Sequence, residues 1–255
     1  MKQFDKVRDR LVRAEKHLRN AQAGIKKYCA GVPLNRVIEI EPVTERQIHK
    51  FQLGWGIPAG VKGDAADFME SARAVLDGCG FAAAEVAGNA QARKCQFPIA
   101  DGADRLETDV IRRGNCRDIP TEIVDHFRAL QPYRGGNDLI WLLNKYANES
   151  KHRLLTPIGM SSSDAFARTF SATSVDIYEL PPRWDEQRNA LVLCILPKGA
   201  TATYSIDVRV VVRLRNIEEG FVPNQRVSMQ AIYDCVADVA KSTEEAVAEW
   251  ARSRS

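Results

Sequence analysis

Between residues 4 and 28 the apolar side chains Phe4, Val7, Leu11, Ala14, Leu18, Ala21, Ile25 and Tyr28 recur three and four positions apart without a break. That pattern fixes a long helix with one apolar stripe, and the stripe must be covered by the body of its own chain or by a second helix. About four heptads are enough for coiled-coil pairing, so a homodimer through this helix is one expectation. Lys6, Arg10, Arg13, Lys16, Arg19 and Lys26 fall mostly off the stripe. Residues 1–36 hold ten Lys or Arg against three Asp or Glu, although the whole chain carries only +3. An acidic partner or an RNA backbone would meet this end first, while a solvated basic face accounts for the same residues. The two aromatics here, Phe4 and Tyr28, lie in the stripe, so no stacking platform for single strands is present and RNA is the less favoured partner.

The chain has 255 residues, 45% hydrophobic and 27% charged, enough to bury one large core or two small ones. The six cysteines, at 29, 79, 95, 116, 194 and 235, form no CxxC pair and read as reduced thiols of a cytoplasmic protein. No signal-peptide pattern opens the sequence and no apolar run is long enough to span a bilayer, so no membrane partner is expected. Four scattered histidines without HExxH or a Cys/His cluster predict neither a dedicated metal site nor a cofactor.

Gly31 and Pro33 should end the first helix, and RVIEIE at 36–41 alternates like a half-buried strand, with a weaker extended piece at 45–53. Residues 63–86 are helical by composition, with Ala65, Phe68, Ala72, Val75, Leu76 and Cys79 inward and Gly78 and Gly80 weakening the middle. Asp64, Asp67, Glu70, Arg73 and Asp77 share a polar strip along it, read as solvated salt bridges or, facing the central helix, as a buried charged network. CQFPIAD at 95–101 is an anchored extended segment, and Pro120 starts a short helix with Ile123, Phe127 and Leu130 inward and His126 in a structural role. Beyond Pro157 the runs 175–180, 190–196 and 205–214 are β-branched and successive, which predicts antiparallel strands, with a short fourth at 221–227. Residues 228–252 return to a helix, with Ser242 and Thr243 as an interruption and an excess of acids that suits the basic first helix. The expected class is α+β: a helical N-terminal part (1–157), then an antiparallel β-sheet and a C-terminal helix (158–255), in one domain or two.

The densest polar cluster lies in LIWLLNKYANESKHRLL, 139–155. Leu139, Leu142, Leu143, Tyr146, Ala147, Ser150 and Leu154 line the core side of a helix, and Trp141, Lys145, Asn148 and His152 repeat at four, three and four on the other, with Asn144 and Lys151 beside them. Lysine supplies charge, asparagine supplies donors and histidine changes protonation near neutral pH, so Trp141, Asn144, Lys145 and Lys151 are candidate anion-binding residues. Asn148, His152 and Arg153 are the candidates for catalysis. A hydrogen-bonded structural network is the alternative reading of the same side chains.

CQFPIAD, LQPYRGGN and NESKHRLLTP, in that order, resemble a family of bacterial proteins that carries FPI, LQPY and KHRLL blocks; GDA at 63–65 also matches, while VLDG at 75–78 departs from the family's arginine and LDH portion. The resemblance covers mainly 63–157 and implies no activity, since none is assigned to that family. More remotely, Asn148 and His152 are similar to the Arg-Asn-x-x-x-His pattern of HEPN-type ribonucleases, with Ala147 where the arginine belongs. That likeness implies RNA processing, or a toxin, with His152 as acid or base and Asn148 orienting a phosphate; loss of the guanidinium removes the group suited to developing phosphate charge.

Three functions follow as expectations. The first is a non-enzymatic cytoplasmic binding or assembly protein, self-associating through the heptad helix and holding structure or a small anion at the end of the central helix. The second is the HEPN-like RNA-processing protein. The third is a metal-assisted hydrolase built on Asp64, Glu70 and His152.

Overall fold

A computed structural model describes residues 1–148, 155–161, 170–172, 183–185, 188, 190–204, 208–214 and 227–254. The architecture is α+β, with helices α1 (Asp5–Gly31), α2 (Ala59–Val86), α3 (Ala103–Arg105), α4 (Thr121–Ala129), α5 (Asp138–Asn148) and α6 (Met229–Arg252). The strands are β1 (Leu34–Ile40), β2 (Gln47–Leu53), β3 (Leu155–Ser161), β4 (Phe170–Ala172), β5 (Arg183–Asp185), β6 (Ala190–Leu196), β7 (Ala202–Tyr204) and β8 (Val208–Leu214). The chain forms two compact units that do not follow chain order: Met1–Gln22, Gly60–Leu154 and Leu214–Ser255 make the first, Ala23–Ala59 and Leu155–Arg213 the second. No helix among the described residues is long and apolar enough to cross a membrane.

In the second unit the largest sheet has the order β1-β2-β6-β5. β1 and β2 form an antiparallel hairpin in the register Leu34 to Leu53 through Ile40 to Gln47, and β2 continues antiparallel onto β6 with a register shift between His49 and Lys50. The extended segments at 36–41 and 45–53 thus share a sheet with a strand from the β-branched stretch after Pro157, a pairing that no local pattern encodes. β6 is apolar along nearly its whole length, ALVLCIL, as a strand covered on both faces must be. Leu191, Leu193, Cys194 and Leu196 of β6 pack with Ala200, Phe51 and Trp184 into the core of this unit. The strand expected at 175–180, all but the last residue of the one at 221–227 and the start of the one at 205–214 lie outside the described residues.

In the first unit the stripe of α1 is covered by its own chain: Phe4, Val7, Ala14, Leu18 and Ala21 are buried. Tyr28, at the far end of the stripe, is buried as well, its hydroxyl donating to the Trp55 carbonyl within the second unit at 3.0 Å. The face that could have paired with a second helix is therefore already occupied. Acidic α6 does accompany basic α1, through Arg8, whose Nη1 lies 2.8 Å from both carboxylate oxygens of Glu244. α6 opens on Ser228, whose Oγ accepts from the Ala231 N–H at 3.0 Å, and runs without a break through 242–243. The interruption expected there is absent because Ser242 and Thr243 donate their hydroxyls to the Val239 carbonyl, at 3.2 and 2.7 Å, and the helix absorbs both.

α2 likewise continues through Gly78 and Gly80, where a weak middle was expected. Both glycines mark close approaches. A Cβ on Gly78 would lie 2.9 Å from Arg10 Nη1 and 3.3 Å from Val7, and one on Gly80 only 2.1 Å from the Cys95 carbonyl oxygen. α2 buries so much of its circumference that tertiary packing outweighs the propensity cost of two glycines, about 1 kcal/mol each.

Candidate functional site

The segment around Phe97 is a strap pinned at every few residues. Asp118 accepts from the Arg93 and Lys94 N–H groups at 2.9 and 2.8 Å, the Gln96 N–H donates to Asn115, and the Phe97 N–H donates to Asp77 Oδ1 of α2 at 3.2 Å. The Phe97 ring packs on Phe127 of α4 at a centroid separation of 4.6 Å, and Ala100 bridges to Tyr133 in parallel. The strap ends at Asp101, whose carboxylate meets α5.

α5 is positioned from its N-terminus. Asn137 Oδ1 accepts from the Ile140 N–H at 3.3 Å, satisfying a donor that a helix start leaves open, and buried Asp138 accepts from the Gly135 N–H at 2.8 Å, tying the preceding turn to the helix. The preceding turn places Gln131 and Gly135 at positive φ, and Gly136 lies so close to Gln131 that a Cβ would meet its carbonyl at 2.7 Å. Leu139 to Leu143 are then all buried, Trp141 among them with 1% of its surface exposed. Trp141 was expected on a wet flank with Lys145 and Asn148; the structure turns it inward instead. Five consecutive apolar residues, LIWLL, are the reason, since a helix apolar all round is covered all round.

A buried indole needs an acceptor, and Asp101 provides it: Trp141 Nε1 donates to Asp101 Oδ1 at 2.8 Å. Lys145 Nζ reaches the same oxygen at 2.7 Å and stands 5.4 Å from the Trp141 ring centroid, and Arg134 Cζ stands 5.5 Å from that centroid. The Lys145 ammonium, and after it the indole donor, hold the Asp101 carboxyl below its ordinary range, so it is ionised at neutral pH. Beside this triad Arg73 of α2 donates from Nε to Asn144 Oδ1 at 3.1 Å and pairs through Nη1 with Asp77 at 2.8 Å. The polar strip of α2 and the polar residues of α5 thus meet at Arg73 and Asn144. Asp64, at the other end of that strip, faces His17 and Asn20 of α1, at 3.4 Å from each.

The structure therefore gathers Trp141, Asn144 and Lys145 into one hydrogen-bonded assembly with the strap and α2. Asn148 is exposed at the last residue of α5. Lys151, His152 and Arg153 lie outside the described residues. Asp101 and Arg134 were missed by the sequence reading, and the signal that finds Asp101 is the indole itself, a single donor on an apolar helix. Among the described residues no group of three or more His, Cys, Asp or Glu side chains is placed to hold a metal ion. Burial pushes the Cys79 thiol up to about 12 and those of Cys116 and Cys194 to about 11, and it raises Cys95 too, so none of these is a thiolate nucleophile at neutral pH. His126 is half-buried, held below its usual range by desolvation, and lies 3.3 Å from Ser242 Oγ.

Among the described residues of the first unit, two clefts bear on the site. One, of about 360 Å³, lies where the start of α1 crosses α2 beside the strap and is lined by Gln3, Lys6, Arg10, Gly78, Phe81 and Gln96. The other, of about 600 Å³, lies against the π-helical turn Leu106–Ile111 that follows α3. In the second cleft Arg128 is already held by Glu107, through Nε at 2.7 Å and Nη2 at 3.1 Å, so its charge is spent internally. In the first, Lys6 is exposed and lines the opening, and Arg10 lies across α2. Comparison of the chain with protein families, with curated proteins and with solved structures finds no match.

Proposed function

We propose that this chain is a non-enzymatic binding protein whose ligand-facing surface is the start of α1. One observation carries the reading. The polar groups of α5 that chemistry would need are committed to partners inside the first unit, Trp141 and Lys145 to Asp101 and Asn144 to Arg73, whereas Lys6, Arg13 and Lys16 on α1 stand exposed and Lys6 and Arg10 line an open cleft. A lysine or arginine in water is a cheap anion receptor, since its desolvation cost is met only when the ligand arrives. Self-association through the heptad stripe is not part of the proposal, because that stripe is covered within the chain. All six cysteines are free thiols, which suits a reducing cytoplasm.

A second reading retains RNA processing by His152 with Asn148, and the exposure of Asn148 at the end of α5 favours it. One experiment separates the two. Cleavage of a mixed-sequence RNA is measured for the wild type, His152→Ala and Asn148→Ala; equal background rates in all three support the binding protein, and cleavage that disappears with His152 overturns it.

A further inference from the structure

We infer that the cleft where α1 crosses α2 is a binding site for a small carboxylate with an apolar tail. The inference rests on the reading of the chain as a binding protein and names the ligand class of that surface.

The argument begins with Arg10. Its Nη1 donates to the Ala74 carbonyl of α2 at 2.9 Å, which fixes a guanidinium that would otherwise sweep through solvent. Gly78 makes this possible, since a Cβ at that position would stand 2.9 Å from Nη1. The N–H donors not used on Ala74 remain for a ligand, and a guanidinium already held in place loses little rotamer freedom on binding. Lys6 lies one helical turn before Arg10 on the same side of α1, so a second cation faces the same space. Gln3, in the 3-10 turn that precedes α1, and Gln96 of the strap add amide donors. The one carboxylate of the lining, Asp77, is ion-paired with Arg73 at 2.8 Å and accepts from the Phe97 N–H, so the cations Arg10 and Lys6 outnumber it in the cleft.

The rest of the lining is apolar. Val7 and Phe81 form the floor beside the bare backbone of Gly78. A bare anion such as phosphate would leave that floor wet, and a neutral hydrocarbon would leave the cations unused; a carboxylate with a tail satisfies both. The volume, about 360 Å³, lies at the small end of ligand sites and holds roughly ten to twelve water-sized groups at about 30 Å³ each, the size of a medium-chain fatty acid.

Calorimetric titration of the full chain with octanoate, octanol and inorganic phosphate tests the inference. Octanoate is expected to bind saturably at one site and more tightly than either of the others. Arg10→Gln is expected to weaken octanoate about tenfold or more, and Lys6→Gln, whose side chain is exposed and leaves the fold untouched, about two- to fivefold. Lys241→Gln, the same charge change on the exposed side of α6, is expected to leave affinity unchanged. No saturable octanoate binding, equal affinity for octanol or for phosphate, or wild-type affinity in both Arg10→Gln and Lys6→Gln would overturn the inference. RNA cleavage that depends on His152 would instead end the binding-protein reading and leave these titrations to be judged by themselves.

Discussion

Gly63 and Gly80 lie in the same helix and should respond to alanine with opposite signs. A Cβ at Gly80 would sit 2.1 Å from the Cys95 carbonyl oxygen, 3.1 Å from its carbon and 3.2 Å from Ile119 Cδ1. Two of these are backbone atoms of a strap pinned by Asp118 and Asp77, so the strap itself must shift, and overpacking of that kind costs about 1–3 kcal/mol. The helix-propensity gain of alanine over glycine, about 1 kcal/mol, offsets part of it, leaving a net loss of up to about 2 kcal/mol. At Gly63 a Cβ meets nothing within 4 Å, so only the propensity term acts and Gly63→Ala should gain about 0.5–1 kcal/mol. For a chain of this size each kcal/mol moves Tm by about 2–4 °C, so thermal unfolding of the two variants should separate them by several degrees, Gly80→Ala below the wild type and Gly63→Ala above it. A Gly80→Ala protein as stable as Gly63→Ala would refute the claim that α2 and the strap are in backbone contact.

Asp101→Ala removes the acceptor of an indole that is 1% exposed, which should cost about 1–3 kcal/mol, and its ion pair with Lys145, worth only about 0.2–1 kcal/mol because the Asp101 side chain is 47% exposed. A double-mutant cycle with Lys145→Ala should accordingly recover less than half of the Asp101→Ala loss, and a coupling equal to the whole loss would show that the indole contributes nothing. The same carboxylate sets a pH dependence: its folded pKa lies below its unfolded value, so its contribution is complete above the unfolded pKa and is lost as pH falls through the folded one. Urea unfolding followed from neutral to acid pH should therefore show a shallower loss of stability below the ordinary carboxylate range in Asp101→Asn than in the wild type; parallel curves would contradict this.

How much of this could be read in the residues alone differs by element. α1 and α6 were legible because a stripe at helical spacing is a local signal, and the sense of their pairing followed from charge. What covers the stripe of α1 was not, since a heptad seam looks the same whether its partner is another copy or the rest of the chain. Gly78 and Gly80 read locally as weakness, and only tertiary contact reveals them as clearances. The hairpin of β1 and β2 was partly legible, but its attachment to β6 joins residues about 140 positions apart, a pairing set by shape and burial rather than by sequence neighbours. On α5 the spacing of Trp141, Lys145, Asn148 and His152 predicted one flank near solvent; Trp141 lies inside and shares Asp101 with Lys145, Asn148 is exposed at the helix end, and His152 lies outside the described residues. The α2 strip was read either as solvated salt bridges or as a charged network facing α5; Arg73 does reach Asn144 of α5, while Asp64 faces α1.

The account turns on the inward-facing, acceptor-bound indole of Trp141, because that contact commits the polar flank of α5 to structure. The ¹H–¹⁵N resonance of that indole, followed by NMR through an acid titration of the wild type and of Asp101→Asn, tests it directly. The account predicts slow hydrogen exchange at neutral pH and a chemical shift that titrates with Asp101 below the ordinary carboxylate range, the titration vanishing in Asp101→Asn. An indole that exchanges freely with solvent, or whose shift ignores the loss of the Asp101 charge, would contradict it.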